Sequence, residues 1–410
     1  MSSLEPSGME MMFLSSASAW GRQGIECDIL SMAASLGSMA PRLKAVGYGI
    51  FHIPFRSKYR FLPNIGFLLH FYRLCRDRKY HAIHIHTETA PPVYALLAKA
   101  AGVPTVALSV HGTFHFHGML RRRKALERRI VRFLGGRYGM ISDSVAKCES
   151  EEFRNVGVRI FNWIDVEHFR FPTKEERAAA REALGISSSA KVILSVGNCA
   201  EVKNHCELLR AVHILQAKTE LLYLHVGAEQ NDLSEQDLAR RLGINENVRF
   251  CGSQQNIRTY LWSCDLFVMP SLHEGMAIAP LEAIASGCSV ILSRVPGLVD
   301  FEALAPHVHF AEPNAASLAA EINKLLAAPD EIEGAEFQEG SATIRSHFAP
   351  SKGVEIIVER LYGFPINQQS PCSIPDASRQ CDPDSIFRES YGDHRSPVQA
   401  PAPCCGQSPA

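Results

Sequence analysis

Short apolar runs recur along the first hundred or so positions, each followed by residues with helix-like spacing, which is how a parallel sheet with crossover helices is written. The runs fall at residues 26–31, 49–54, 81–86 and 105–111, with a helix predicted over 93–101. A second alternating series begins at Lys191 with Val-Ile-Leu-Ser-Val-Gly and continues through 221–227, 248–250, 266–270 and 289–293. Each series reads as its own doubly wound unit. Between them Phe169-Arg-Phe-Pro-Thr173 leads into a charged helix over 174–184, which Gly185 and the serines at 187–189 close. That punctuation puts the junction at about 169–190. The pattern predicts an N-terminal domain over 1–168, a C-terminal domain over 169–348, and a terminal segment over 349–363 with a helix at 352–361 that packs back on the first domain. From 364 to 410 the chain turns to Pro, Ser, Gln and Cys without apolar period, and is expected to be disordered.

Composition narrows the classes. With 410 residues, 46% apolar and 21% charged, the chain can bury a core in each of two domains. Forty-two Lys+Arg against 43 Asp+Glu leave a net charge of -1, so no global field argues for a nucleic-acid partner. Twelve scattered cysteines, including the adjacent Cys404 and Cys405, form no CxxC pair and read as reduced thiols. No run approaches the ~20 apolar residues that span a bilayer, and Met1 to Gly8 lacks the features of a signal peptide. The expectation is a cytoplasmic protein, dissolved or resting on the inner face of the membrane.

The chemistry concentrates at Pro270-Ser-Leu-His-Glu-Gly-Met-Ala-Ile-Ala-Pro-Leu-Glu-Ala-Ile-Ala-Ser-Gly287. A strand runs into a turn and then a helix that Ser286-Gly287 stops. Glu274 lies in the turn and Glu282 lies eight residues on, upon the helix. Amides around Gly275, Met276, Ala277 and Ile278 would point out of the helix start, where the dipole supplies roughly half a positive charge to receive a diphosphate without a metal. A second segment, Val196-Gly-Asn-Cys-Ala-Glu-Val-Lys-Asn204, also joins a strand to a helix; Gly197 lets backbone approach phosphate and Lys203 brings charge to a leaving diphosphate.

Glu274 and Glu282 at this spacing, inside Pro-Ser-x-x-Glu-Gly and Leu-Glu-Ala-x-Ala-Ser-Gly, resemble the donor site of the family-4 retaining glycosyltransferases, and the resemblance runs along most of residues 1–362. It implies the GT-B fold, an α/β architecture of two facing Rossmann-like domains with parallel sheets and a cleft between them. It implies that Glu274 contacts hydroxyls of the donor sugar and Glu282 the ribose. Lys203 stands at the lysine of the family's Gly-Arg-x-x-x-x-Lys element, with Asn198 at the arginine position; an amide hydrogen-bonds an oxygen but cannot neutralise it.

Arg159-Ile-Phe-Asn-Trp-Ile-Asp-Val-Glu-His-Phe169 resembles the family's Asn-Gly-hydrophobic-Asp-x-x-x-Phe stretch, where Asn162 and Asp165 order the hinge and Trp163 replaces a glycine. Trp adopts positive φ only at a cost, so this turn is expected to differ. His111, at a strand end beside Gly112, resembles the family's histidine at the sugar-transfer site. Ser3-Leu-Glu-Pro-Ser-Gly-Met-Glu10 resembles its glycine-rich loop, with Ser7 for the first glycine and Gly8 and Glu10 matching, but without the strand that normally precedes it.

The resulting expectation is metal-independent, retaining transfer of a sugar from a nucleotide-diphosphate sugar to an acceptor hydroxyl, in polysaccharide or glycolipid synthesis, with no cofactor. His111, Lys203 and Glu274 form its catalytic set. The acceptor is expected to be a glycan or a lipid-linked acceptor. A non-catalytic GT-B partner protein is the alternative, favoured by Ser7, Asn198 and the missing strand. Asp382-Pro-Asp384, the only Asp-x-Asp motif, lies in the tail, and His115 and His117 lack a carboxylate or cysteine at ligand spacing. Residues 119–137 hold eight basic residues and one acid, among them Arg121, Arg122, Arg123, Lys124, Arg128, Arg129 and Arg132, interleaved with Leu120, Ile130, Val131 and Phe133. This stretch fits an anionic membrane surface or an ordinary solvated helix face.

Overall fold

Continuous β-branched and aliphatic runs bounded by Gly, Ser or Asp become strands buried on both faces, as a parallel sheet covered by helices requires. The computed structural model describes residues 4–55, 65–216, 221–229, 234–305, 308–327 and 335–366. Of the predicted disordered tail only residues 364–366 are described, and there the Phe364 amide donates to the Val358 carbonyl at 2.9 Å; Asp382, Asp384 and the Cys404–Cys405 pair lie outside the described residues.

In the N-terminal half, α1 (Gly8–Arg22), β1 (Asp28–Ser31), α2 (Ala40–Ala45), β2 (Gly49–His52), α3 (Ile65–Arg78), β3 (Ala82–Ile85), α4 (Pro91–Ala100), β4 (Thr105–Val110), α5 (Gly118–Phe133), β5 (Arg137–Met140), α6 (Asp143–Phe153) and β6 (Val158–Arg159) follow in order. All pairings are parallel, but the strands fall into two sheets, β1-β2 and β3-β4-β5-β6. Among the described residues no strand precedes α1.

In the C-terminal half, α7 (Lys174–Ala183) carries a Thr173/Glu176 capping box. Then come β7 (Lys191–Val196), α8 (His205–Leu215), β8 (Leu221–Val226), α9 (Ser234–Leu242), β9 (Val248–Phe250), α10 (Arg258–Ser263), β10 (Leu266–Met269), α11 (Ile278–Ala285), β11 (Ser289–Ser293), β12 (Val308–Ala311), α12 (Ala315–Ala327) and α13 (Ala335–His347). They form one parallel sheet of order β12-β11-β10-β7-β8-β9, with every residue of β8 and β10 buried. The order reverses between β7 and β10, and at such a switch point the loops beyond the strand ends diverge and leave a crevice.

The chain ends its described course in α14 (Pro350–Ile356), which passes into a π-helical segment at Ile357–Tyr362. The helix starts earlier than the pattern indicated because Pro350 takes a first-turn position. Trp163 lies outside the left-handed region. Its indole donates to the Met12 carbonyl (2.8 Å) and packs on Gly353, filling the space between α1 and α14. The described residues all fall within one compact unit.

Candidate active site

The loops after β7 and β10 flank the switch point and are cross-linked there. Asn204, in the left-handed region that Asn tolerates, donates its side-chain amide to the carbonyls of Pro270 (3.0 Å) and Pro313 (3.1 Å). The Leu272 amide donates to the Val202 carbonyl at 2.8 Å. This brings the two motif segments together, and Lys203 Nζ meets Glu274 Oε1 at 2.7 Å in a largely buried ion pair. Gly197 lies against the Lys203 stem. The Asn198 carbonyl oxygen accepts from the Ala228 amide at 2.9 Å, so this side chain ties its loop to the end of β8.

At the start of α11 the N-cap is Ala277, and no side chain caps the helix. Helices ordinarily satisfy one of their orphan first-turn amides with a Ser, Thr, Asp or Asn there, and omitting it leaves those donors for water or a ligand. These donors begin at Ile278, four residues along the chain from Glu274.

The N-terminal half grips this turn by its backbone. Ser142 Oγ donates to the Gly275 carbonyl (3.0 Å), Asn162 Nδ2 to the Met276 carbonyl (2.7 Å) and Thr113 Oγ1 to the Glu274 carbonyl (3.3 Å). Asp300 accepts from the Ser144 amide and hydroxyl at 3.0 and 2.7 Å. Gly275 sits so close to the end of β4 that a Cβ there would lie 2.2 Å from the His111 carbonyl oxygen. Gly297, with φ +84°, approaches the turn from behind; a Cβ on it would lie 2.4 Å from the Glu274 carbonyl oxygen. Gly8, opening α1, faces Ile278. Ser7, at the N-cap of α1, donates to the buried Glu10 carboxylate, whose pKa burial raises above the usual range.

His111 follows β4, with its Nε2 3.0 Å from Nδ1 of His86. One nitrogen must donate and the other accept. Removal from water supports this neutral pairing: it holds His111 down at about 4 and His86 well below the ordinary imidazole value. His86 carries no motif, and its part in orienting His111 depends on β3 and β4 being neighbours in the sheet.

Glu282 is buried on α11, and its pKa is pushed up to about 8, first by burial and then by the charge of Asp165. Asp165 itself accepts from the Glu167 and His168 amides (3.2 and 3.1 Å), bracing the segment between the halves. An unfolded glutamic acid titrates near ~4.3. The folded value is the higher one, so the associated stability is complete below the unfolded value and is lost as pH rises through about 8. Glu282→Gln should therefore melt close to the native protein near pH ~4 and clearly above it near pH ~9. Parallel melting curves across that range would refute the burial account.

The basic stretch divides in two. Lys124 and Arg128 are buried, Lys124 pairing with Glu127 (2.9 Å) and Arg128 with Glu149 (2.6 Å), and Arg121 is held by Glu152 (2.7 Å). These side chains are held by acidic partners within the fold, so neither reading of the stretch, an anionic-surface contact or a solvated face, applies to Lys124 and Arg128. The outer face of α5 shows Met119 (86% exposed), Leu126 and Phe133 (90% exposed) beside the exposed Arg122 and Arg129. His115 and His117 are exposed on the approach to α5. No helix among the described residues is long and apolar enough to cross a membrane.

Two family models match adjacent stretches: Glycosyltransferase Family 4 over residues 6–147 and Glycosyl transferases group 1 over residues 176–339. The chain is a GT-B glycosyltransferase of this group. EpsF of Bacillus subtilis is 25% identical over 316 residues, which span 72% of this chain and 77% of that protein. The UDP-Gal:alpha-D-GlcNAc-diphosphoundecaprenol alpha-1,3-galactosyltransferase of Escherichia coli is 26% identical over 252 residues, spanning 56% of this chain and 62% of its own. The crystal structure of Anabaena Alr3699/HepE in complex with UDP and glucose superposes with a TM-score of 0.71 at 15% identity, covering 88% of this chain and 97% of that one. That likeness is one of fold. For this glycosyltransferase, a nucleotide sugar is the substrate class the relatives support.

Proposed function

We propose that the glycosyltransferase moves a sugar from a nucleoside-diphosphate sugar to an acceptor hydroxyl with retention of configuration and without a metal in the transfer step. The observation that carries this reading is the pairing of Lys203 with Glu274 at the sheet's switch point, four residues before the uncapped start of α11. As the glycosidic bond to the leaving diphosphate breaks, negative charge grows on its oxygens. Fixed amide dipoles and one ammonium are suited to stabilise that charge, and they strengthen transfer because the charge is greatest in the transition state.

Glu274 would hold sugar hydroxyls and Glu282 the ribose. A protonated Glu282 can donate as well as accept, which suits a diol. His111, across the cleft at the end of β4, would face the sugar and the incoming hydroxyl. The contacts from Ser142, Asn162 and Thr113 keep water out of the junction, limiting hydrolysis of the donor.

A lipid-linked acceptor is supported by the undecaprenol-linked substrate in the name of the Escherichia coli relative and by the apolar-plus-arginine outer face of α5. Polysaccharide or glycolipid synthesis at the cytoplasmic membrane face is the corresponding role. The use of the Asn198 amide in binding Ala228 favours the second reading, a GT-B protein that binds without transferring.

The test is a screen of nucleotide sugars with divalent ions chelated, with acceptor glycolipid offered in anionic vesicles and, separately, as a water-soluble analogue. Expected are release of nucleoside diphosphate, a product with the donor's anomeric configuration by NMR, and faster turnover on vesicles. An inverted product, or release that requires added magnesium, would overturn the mechanism; no release with any donor would leave the binding protein.

A further inference from the structure

Beneath the loop that carries Asn198 and Lys203 lie three buried side chains that the transfer chemistry does not use. Cys199 (3% exposed) follows Asn198 in the loop, His205 (4% exposed) opens α8, and His225 (0% exposed) is the fifth residue of β8. One potential ligand atom from each lies within 4.8 Å of the others. The Cys199 Sγ is 3.4 Å from His225 Nε2, and the rings of His205 and His225 meet edge to face with centroids 4.4 Å apart. Bond lengths of ~2.3 Å to sulfur and ~2.0–2.1 Å to nitrogen put two ligand atoms on one tetrahedral zinc roughly 3.3–3.8 Å apart. The trio needs only a small contraction to reach that geometry.

Two further observations point to a ligand. His205 Nδ1 is fully buried and has no hydrogen-bond partner among the described residues, a deficit that ordinarily costs ~1–3 kcal/mol. His225 Nδ1 lies 3.2 Å from Ser195 Oγ, which is itself 2.6 Å from the Tyr223 hydroxyl. With that nitrogen engaged, Nε2 turns its lone pair toward Cys199, the arrangement by which outer hydrogen bonds fix a metal-ligating imidazole.

We infer that Cys199, His205 and His225 form a binding site for a zinc-type divalent cation, separate from the sugar-transfer step, that fixes the conformation of the loop bearing Asn198 and Lys203. On binding, the Cys199 thiol gives its proton to solvent and its sulfur lone pair to the metal, so one proton leaves per cation bound. The two histidines contribute neutral nitrogens, and the fourth position takes a water.

The experiment uses the full chain, stripped with chelator and titrated with Co2+. One equivalent should produce tetrahedral ligand-field bands and a thiolate-to-cobalt charge-transfer band in the near ultraviolet, both removed by Zn2+. Cys199→Ser should abolish the charge-transfer band. His205→Gln should weaken binding by at least the ~10–100-fold that loss of an outer-shell partner costs a metal site. Cys206→Ser, on the same helix but outside the trio, should leave band and affinity unchanged. Melting of each stripped variant checks that it is folded, and proton release on Zn2+ addition to the unmodified chain gives a readout independent of any variant. Absence of the band in the native chain, its survival in Cys199→Ser, or zinc binding without proton release would overturn the site. None of these readouts requires sugar transfer, so the inference stands or falls apart from the proposed reaction.

Discussion

Lys203→Ala is expected to lower the rate of donor-dependent diphosphate release by ~10²–10³-fold, the usual consequence of removing one preorganised donor from a developing anion. Its ammonium is a full charge held 2.7 Å from Glu274, in the turn that leads into the uncapped start of α11. Glu274→Ala should cost as much, because it removes the sugar contact and releases the lysine from the place where it waits. Each residue holds the other, so the double variant should lose much less than the product of the two single losses. Steady-state rates of the three variants, beside their melting temperatures, test this. Full activity in either single variant would sink the assignment, and strictly multiplicative losses would show that the ion pair has no part in it.

Gly275→Ala should be nearly as damaging, for a different reason. Its Cβ would meet the His111 carbonyl oxygen at 2.2 Å, the carbonyl carbon at 2.9 Å and the Gly112 Cα at 3.1 Å. All three are backbone atoms, which cannot rotate away as a side chain would, so the two halves must move apart. A displacement of ~1 Å at a reacting site costs about 10²-fold in rate, and overpacking adds ~1–3 kcal/mol of destabilisation. The amides of α11 remain, so affinity for the nucleoside diphosphate alone should change little. Calorimetry of nucleotide binding alongside turnover would separate these effects; unchanged turnover would mean that the closed contact is not the working state.

The architecture was legible where one local signal sufficed. The bounds of β7, β9 and β11 follow directly from apolar runs ended by Gly, Cys or Ser. β5, β6 and β12 escaped because Arg-Tyr-Gly-Met, a two-residue bridge and Val-His-Phe-Ala carry too little apolar period to stand out. At the site, motif spacing brought Lys203, Glu274 and the start of α11 into one reading, and the fold does bring them together. The grip of Thr113, Ser142 and Asn162 on the carbonyls of residues 274–276 was not legible, because a hydroxyl or amide that bonds a carbonyl over a hundred residues away leaves no local trace. His86 was hidden for the same reason.

The division of the N-terminal strands bears on how the molecule loosens. Among the described residues β1 and β2 share backbone hydrogen bonds only with each other. Asp28 ties them to the end of α3, accepting from Arg78 (2.9 Å), and to the turn before β3, accepting from the Tyr80 hydroxyl (2.6 Å). A ladder of main-chain bonds is indifferent to salt, whereas a half-exposed guanidinium–carboxylate contact weakens with it. Ionic strength therefore acts on this corner before it reaches the six-stranded sheet, and fraying starts at the edge farthest along the chain from the donor loops.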